Sequence, residues 1–335
     1  MVNTINNAFS DFLKDIVNID QKEYIEKALP SRDWLVEQIL NFEKSIDYFP
    51  QFYIEKNIFF GSFHRKTKKR PLDDIDLIIC LNGLGCTYSE FLNNFTIYVP
   101  QNNIALKKLC NDGTDELNSI KIVEKFKSGL SKIDQYKNAV IRRNGEAVTL
   151  NLLSYDWNFD IVPAFFANPE ILGGSNFYLI PDGKGKWKKT NPKIDSTRTT
   201  TINQNHNGKI LALIRLVKYW QKRPTMPTMN SFLLETMILD FYEKKEVKSN
   251  FYIDIEFIKT INYISLNINK KVSDPKNVEI DINDVLAIDR FKIKEKALTD
   301  ISIGQQALNF ENEGEVEKSI NKWSYIFGQD FPKFG

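Results

Sequence analysis

Residues 73–81 read Asp73-Asp74-Ile75-Asp76-Leu77-Ile78-Ile79-Cys80-Leu81, a β-prone apolar run that begins with three acids. This pattern predicts a strand from Ile75 to Leu81. Strand side chains alternate between two faces, so Asp74 and Asp76 share one face while Ile75 and Leu77 point to the core. Asp73 falls on the other side and is interpreted as a solvated residue at the start of the strand.

Two further elements extend this pattern. Asp160 lies in Asn158-Phe159-Asp160-Ile161-Val162-Pro163, within a second predicted strand from Trp157 to Phe165. An acid between apolar strand residues needs a reason to be there. Gly61-Ser62 precedes the first strand; glycine lets the backbone approach a phosphate, and exposed N–H groups with a hydroxyl can hold it. Each element alone has an ordinary explanation as a solvated edge, a buried acid or a turn, but their conjunction predicts a site.

The chemistry that this conjunction suits is nucleotidyl transfer. A hydroxyl attacks the α-phosphate of a nucleoside triphosphate, and two divalent ions about 3.5–4 Å apart neutralise the attacking and leaving oxygens. Paired carboxylates on one strand can hold such ions, and a third on a neighbouring strand can orient or deprotonate the hydroxyl. We therefore predict Asp74, Asp76 and Asp160 as catalytic residues and metal ligands, with Mg²⁺ (or Mn²⁺) as the cofactor.

The rest of the chain predicts an α+β fold. Residues 139–143 and 147–153 form a predicted hairpin around Asn144-Gly145, because both residues accept positive φ. Residues 83–134 are interpreted as an insertion with one helix over 116–130, and Gly173 to Pro192 as a long loop. Helical periodicity dominates after Asn205. We expect a nucleotidyltransferase core with N-terminal helices over 1–200, a helical lobe over 201–327 and a tail over 328–335.

Composition excludes several classes of protein. A net charge of +2 and 42% hydrophobic residues indicate an ordinary globular chain rather than a nucleic-acid scaffold. Three cysteines and two histidines argue against a disulfide framework and a zinc site, and Cys80 is interpreted as core packing. No signal peptide and no membrane-length apolar run are visible, so we expect a cytoplasmic protein without membrane association.

The motif residues, together with Asp160-Ile161-Val162-Pro163-Ala164, resemble the polymerase-β-like nucleotidyltransferase superfamily. More narrowly, they are similar to the bacterial cGAS/DncV-like nucleotidyltransferases (CD-NTases) of CBASS anti-phage systems. The resemblance implies a polymerase-β-like core, a mixed sheet flanked by helices, followed by a C-terminal helical lobe. It covers roughly residues 55–245 and includes three further stretches: Tyr178-Leu179-Ile180-Pro181-Asp182, Leu213-Ile214-Arg215-Leu216-Val217-Lys218-Tyr219-Trp220 and Ser231-Phe232-Leu233-Leu234-Glu235.

The resemblance also implies residue roles. Gly61 and Ser62 would contact the donor triphosphate, and Lys218 and Ser231 would reach the phosphates from the helical lobe. The alternatives are a solvated lysine beside a core helix for Lys218 and a helix N-cap for Ser231. Trp220 and Glu235 are interpreted as packing residues that pin the helices.

Two basic loops have two possible interpretations, either an ordinary solvated surface or a surface that steers triphosphates. They are His64-Arg65-Lys66-Thr67-Lys68-Lys69-Arg70 and the loop with Lys184, Lys186, Lys188 and Lys189. Activating double-stranded DNA is not expected, because the Cys/His cluster of animal DNA sensors is absent. Expected partners are nucleoside triphosphates, a downstream effector bound through the product, and an E1/E2-like conjugation partner at Gly335, on a tail expected to be flexible.

Three functions are weighed. The first is synthesis of a cyclic di- or trinucleotide second messenger in anti-phage signalling, with release of pyrophosphate. The alternative is an RNA terminal nucleotidyltransferase of the poly(A) or CCA-adding type, which would favour an additional RNA-binding domain. The third is a nucleotide-binding module without catalytic activity. The presence of all three carboxylates argues against it.

Overall fold

The computed structural model describes residues 2–169, 174–246 and 250–335. The chain divides into two compact units. The sheet unit consists of Gln21–Arg65 and Pro71–Ser196, and the helical unit combines the residues through Asp20 with Lys66–Arg70 and Thr197–Gly335. Helix α8 (Pro192–Asn205) begins in the sheet unit and ends in the helical unit.

The sheet unit is built on one nine-stranded sheet. Its strands are β1 (Ile58–Phe60), β2 (Asp74–Leu81), β3 (Thr87–Phe91), β4 (Asn94–Tyr98), β5 (Val140–Asn144), β6 (Ala147–Asn151), β7 (Asn158–Ala167), β8 (Phe177–Pro181) and β9 (Trp187–Thr190). The strands follow the order β1-β2-β7-β8-β9-β4-β3, and the β5–β6 hairpin adds to β7 through β6. The sheet is mixed, because β2 and β7 run parallel while the other named pairs are antiparallel.

Strand β7 has different neighbours along its length. Its first part pairs with β6 and its last part with β8, while β2 runs along the other edge. The acid-bearing start of β7 is therefore held between β2 and β6. This position fixes the backbone on both sides of Asp160.

The helices of the sheet unit include α2 (Gln21–Glu23), α3 (Leu29–Leu40), α4 (Phe42–Ser45), α5 (Gly61–His64), α6 (Ile104–Lys107) and α7 (Ser119–Leu130). Asn118 caps α7 by accepting from the amides of Ile120 and Lys121, which satisfies N–H groups that a helix start leaves open. The apolar side of α7 is buried through Ile122 and Phe126. The helix lies against the strands of the β5–β6–β7–β8 region and covers this part of one sheet face.

The strand and hairpin predictions are confirmed, while two regions were assigned wrongly. Residues 83–134 contain not only a helix but also β3, β4 and α6. The predicted loop begins at Gly173, which lies outside the described residues, and the described remainder contains β8 and β9. In β8 every residue is buried, so its apolar run rather than the flanking Gly, Pro and Lys decides its structure.

The helical unit has an aromatic core. Its helices are α1 (Ile5–Phe12), α9 (Ile210–Gln221), α10 (Ser231–Glu243), α11 (Ile253–Asn267), α12 (Ala287–Asn312) and α13 (Val316–Phe327). Phe9 of α1 meets Trp323 edge-on at 5.0 Å between ring centroids and Phe331 at 5.1 Å. Trp220 is fully buried and donates to Asp300 at 2.7 Å. The interpretation of Trp220 as a packing residue is thereby confirmed.

The C-terminal tail is not the flexible segment that the sequence suggested. Phe331 is buried, and the amide of Gly335 donates to the carbonyl of Val2 at 3.2 Å. Val2 also bridges to Phe334 in parallel. Apolar burial of Phe331 holds the tail down, while Gly335 itself is exposed. Conjugation at Gly335 stays a prediction.

The α+β class is confirmed by the mixed sheet and the helical unit. Within residues 2–169, 174–246 and 250–335, no helix is both long and apolar enough to cross a membrane. Cys80 lies in the core, as predicted, and burial raises the pKa of its thiol to about 12.

Candidate active site

The paired acids of β2 stand on one face of the strand. Asp74 and Asp76 are half-buried, and the intervening Ile75 and the following Leu77 are buried. This alternation is the one that the sequence predicted. The strand therefore presents two carboxylates on the side opposite its packed face.

The parallel register brings the third acid into line. Asp76 lies directly opposite Asp160 on β7, and Asp74 lies opposite Asn158. Directly opposed residues of paired strands project to the same side of a sheet, with the strands about 4.8 Å apart. The structure thus places all three acids that the sequence proposed on the same face of two adjacent strands.

The same row continues across five strands. Phe60 of β1 is opposite Asp76, Thr149 of β6 is opposite Asp160, and Arg142 of β5 is opposite Thr149. Further along β2 and β7, the same face becomes apolar around Ile78, Cys80, Val162, Ala164 and Tyr178. The polar row is therefore a local feature at one end of an otherwise apolar sheet face.

Gly61 makes room for one of these acids. Its φ is +74°, and a Cβ at this position would lie 1.7 Å from Oδ2 of Asp76 and 2.5 Å from Cγ. A side chain other than hydrogen would occupy the space of the carboxylate. The sequence assigned Gly61 to phosphate contact, but the structure adds a second reason for glycine here.

Ser62 follows Gly61 in the short helix α5 and is half-buried. Its hydroxyl thus belongs to the same turn as the predicted phosphate-binding backbone. Contact with the donor triphosphate stays a prediction for both residues.

Sequence reasoning missed Thr149. Its Oγ1 donates to Oδ1 of Asp160 at 2.6 Å, and the side chain is 7% exposed. The signal was available, because Ala147-Val148-Thr149-Leu150-Asn151 alternates and places Thr149 on the same face as its cross-strand partner. Register, however, cannot be read from one strand alone.

The donor set fits a hard divalent cation. Asp76 and Asp160 share one cross-strand row, Asp74 lies on the same face, and carboxylate oxygens are the protein ligands that Mg²⁺ and Mn²⁺ prefer. In the described part of the chain, no group of three or more His, Cys, Asp or Glu side chains is arranged so that it could hold a metal ion. The fit therefore rests on ligand chemistry and on the space that Gly61 leaves for Asp76.

Comparison with known proteins decides the family. The chain is 41% identical over 337 residues, and over 99% of both chains, to a probable cyclic nucleotide synthase of Bacillus cereus. This chain belongs to the CD-NTase family. The family resemblance seen in the sequence is confirmed, and the chain is an enzyme of the cyclic nucleotide synthase type.

Other relatives of this CD-NTase are more distant. A cyclic AMP-AMP-AMP synthase of an Acinetobacter species is 29% identical over 199 residues, which cover 57% of this chain and 54% of the relative. An E. coli CdnC structure with ATP matches with a TM-score of 0.67 at 15% identity, covering 98% of each chain. The same protein in complex with HORMA-deltaN matches with a TM-score of 0.65 at 16% identity and equal coverage. These structures confirm the fold, whereas no family model matches the chain.

The predicted phosphate-binding lysine of this CD-NTase, Lys218, lies in a buried ion pair with Glu235. Lys218 is 5% exposed, and its ammonium donates to Glu235 and, at 3.1 Å, to the carbonyl of Thr67. Glu235 also accepts from the hydroxyl of Thr67 at 2.9 Å. The ammonium of Lys218 is buried in an ion pair, so the alternative of a solvated lysine is wrong. Its contact with phosphate stays a prediction. The interpretation of Glu235 as a residue that pins helices is confirmed.

Ser231 is the first residue of α10 and is half-buried. The N-cap is Asn230, whose side chain accepts from the amide of Phe232 at 2.8 Å. The alternative interpretation of Ser231 as an N-cap is therefore wrong by one residue. Its contact with phosphate stays a prediction.

The first basic loop is largely anchored within the helical unit. Thr67 is fully buried, Arg70 donates to the carbonyls of Asn18 and Asp15, and Arg215 donates to the carbonyl of Lys66. Burial lowers the pKa of Arg215 to about 10. This segment holds its shape through buried and backbone contacts, which a purely solvated charge run would lack.

The second basic loop also has partners, all in the sheet unit. Lys186 pairs with Glu116 at 2.8 Å, Lys188 with Glu146 at 3.3 Å, and the Lys189 ammonium lies 4.5 Å from the centroid of the Phe177 ring. Exposed pairs of this kind contribute about 0–1 kcal/mol each. These contacts anchor Lys186, Lys188 and Lys189 at the surface of the sheet unit. A role of the loop in steering triphosphates stays a prediction.

Lys218 provides a stability prediction. Lys218→Met is expected to lower the free energy of unfolding by about 3–5 kcal/mol, because it leaves the carboxylate of Glu235 buried without its cation. Chemical denaturation monitored by circular dichroism measures this loss. The double variant Lys218→Met, Glu235→Leu is expected to recover most of it, since an apolar pair of similar volume is often neutral. A raised KM for nucleotide with unchanged stability would instead support the sequence-based role.

Proposed function

We propose that this CD-NTase joins ribonucleoside triphosphates into a cyclic di- or trinucleotide and releases pyrophosphate at each bond formed. The observation that carries the proposal is the cross-strand row with Asp76 opposite Asp160 and Asp74 on the same face. A second support is that the chain is related over 99% of its length to a probable cyclic nucleotide synthase. Carboxylates arranged in this way suit divalent cations, and such cations stabilise the negative charge that develops during transfer at an α-phosphate.

Asp74, Asp76 and Asp160 are the residues that would hold Mg²⁺ or Mn²⁺. When bound, the ions supply charge neutralisation at the attacking and leaving oxygens of the transferred phosphoryl group. The chain's own contribution is to keep the three carboxylates on one half-buried sheet face, where the backbone of three paired strands limits their movement. Preorganised charges of this kind need little rearrangement during the reaction.

Asp160 has a second role in this proposal. Its carboxylate orients the hydroxyl of the acceptor and takes its proton as the hydroxyl oxygen attacks the α-phosphate. General-base assistance of this kind contributes about 10²–10⁴-fold in rate. The released pyrophosphate leaves from the donor side, where Gly61 and Ser62 are predicted to bind. The same site acts again on the linear product, whose free hydroxyl closes the ring.

Biological context follows from the family. The cyclic product would act on a downstream effector in anti-phage signalling of the CBASS type. The Acinetobacter relative is named for a product of three AMP units, and the E. coli structure contains ATP. ATP is therefore the first nucleotide to test as donor and acceptor.

The test compares nucleotide mixtures with and without an RNA primer. We expect pyrophosphate release and product formation from triphosphates alone, with complete loss when EDTA removes the metal and recovery when Mg²⁺ or Mn²⁺ is added back. Pyrophosphate release is followed by a coupled assay. A strict requirement for RNA would overturn the cyclase proposal in favour of a terminal transferase, and activity that persists in EDTA would overturn the metal assignment.

A further inference from the structure

Thr149 contacts the acid that the proposed function places beside the acceptor. Its Oγ1 donates to Oδ1 of Asp160 at 2.6 Å. This length is typical of a charge-assisted O–H···O⁻ hydrogen bond. Thr149 is 7% exposed, whereas Asp160 is half-buried, so the hydroxyl approaches the carboxylate from the protected side.

The backbone around Thr149 makes this hydroxyl a fixed group. Strand β6 is paired on one side with β5 and on the other with β7, and Thr149 has a cross-strand partner on each. A β-branched side chain has a restricted χ1, so the position of Oγ1 follows from the position of the strand. By contrast, the χ2 torsion of an aspartate is broad, and a free carboxylate rotates easily.

The contact distinguishes the two oxygens of Asp160. Oδ1 receives the hydrogen of Thr149, and the carboxylate plane is then set by this bond. Oδ2 is left as the oxygen that can serve the reaction. Groups that hydrogen-bond to metal ligands in this way commonly set the ligand's orientation, and their loss costs about 10–100-fold in metal affinity or activity.

We propose that Thr149 is a positioning residue, which holds the Asp160 carboxylate so that Oδ2 faces the acceptor hydroxyl and the divalent ion. This inference rests on the proposed function, since it assigns Asp160 the same role. It adds a residue outside the three acids and predicts that a hydroxyl, rather than the volume of the side chain, is what position 149 requires.

Two substitutions separate the hydroxyl from the volume. Thr149→Val keeps the branched shape and removes the donor, while Thr149→Ser keeps the donor and removes a methyl group. We expect Thr149→Val to lower kcat by about 10–100-fold and Mn²⁺ affinity by a similar factor. The KM for nucleotide should stay unchanged, because Thr149 contacts the acid rather than the substrate. Thr149→Ser should stay within about threefold of wild type in both measurements.

Mn²⁺ binding is measured by electron paramagnetic resonance with a non-hydrolysable ATP analogue present, and thermal unfolding checks that each variant is folded. The proposal is overturned if Thr149→Val matches wild type in kcat and Mn²⁺ affinity. It is equally overturned if Thr149→Ser is impaired as much as Thr149→Val, since packing would then explain both. Asp160→Asn is measured in parallel: full activity in that variant would contradict the proposed function itself.

Discussion

Asp76→Asn and Asp74→Asn are each expected to lose at least about 10³-fold in kcat while remaining folded. Each substitution removes one charge from a proposed metal ligand with little change in side-chain volume. Divalent ions supply several kcal/mol of charge stabilisation in phosphoryl transfer, and each 1.36 kcal/mol is tenfold in rate. Both acids are half-buried rather than core residues, so stability should change little.

Initial rates of pyrophosphate release and thermal unfolding midpoints measure the two effects separately. Asp73→Asn is the matched control, since Asp73 precedes the first strand residue and stands outside the alternating pair. We expect this variant to retain activity near that of wild type. Turnover within tenfold of wild type in both Asp74→Asn and Asp76→Asn would contradict the assignment of the site.

Gly61→Ala is expected to reduce synthesis by about 10²-fold or more, because misplacement of a catalytic group by about 1 Å can cost this much. The new Cβ would fall 1.7 Å from Oδ2 of Asp76, so the carboxylate has to move. Alanine at a φ of +74° also costs about 1–3 kcal/mol of stability. Kinetics and chemical denaturation are measured on the same preparation.

Gly208→Ala separates these two effects. Gly208 has a φ of +75°, and among the described residues other than its two chain neighbours no atom lies within 4 Å of a Cβ built there. The backbone cost is therefore matched while the clash with a carboxylate is missing. We expect a similar loss of stability and near wild-type synthesis in Gly208→Ala. Equal losses of synthesis in both variants would show that backbone strain, and not displacement of Asp76, explains the effect.

The acids could be predicted from sequence because their signal is local. Asp74 and Asp76 are two residues apart on one strand, and strand alternation alone puts them on one face. Asp160 stood out as an acid among buried apolar neighbours. Its alignment with Asp76, however, depends on the parallel register of β2 with β7, which no single strand encodes.

The residues that could not be predicted depend on distant parts of the chain. Thr149 and Asp160 are 11 residues apart, and their contact requires the β6–β7 register. Lys218 was predicted as a phosphate ligand because its helix resembles a family signature, and the resemblance said nothing of its buried contacts. Its buried partner Glu235 and the carbonyl of Thr67 come from another helix and from a segment 151 residues away, so sequence spacing gave no sign of them.

The central claim is ring formation, and the phosphatase resistance of the product tests it most directly. The protein is incubated with the four ribonucleoside triphosphates and Mg²⁺, treated with alkaline phosphatase, and the products are identified by mass spectrometry. A closed ring has no terminal phosphate, so the account predicts a resistant species with the mass of two or three nucleoside monophosphates less one water for each bond. Asp160→Asn should form none of it. A ladder of linear products that phosphatase trims at their 5′ ends would contradict the account.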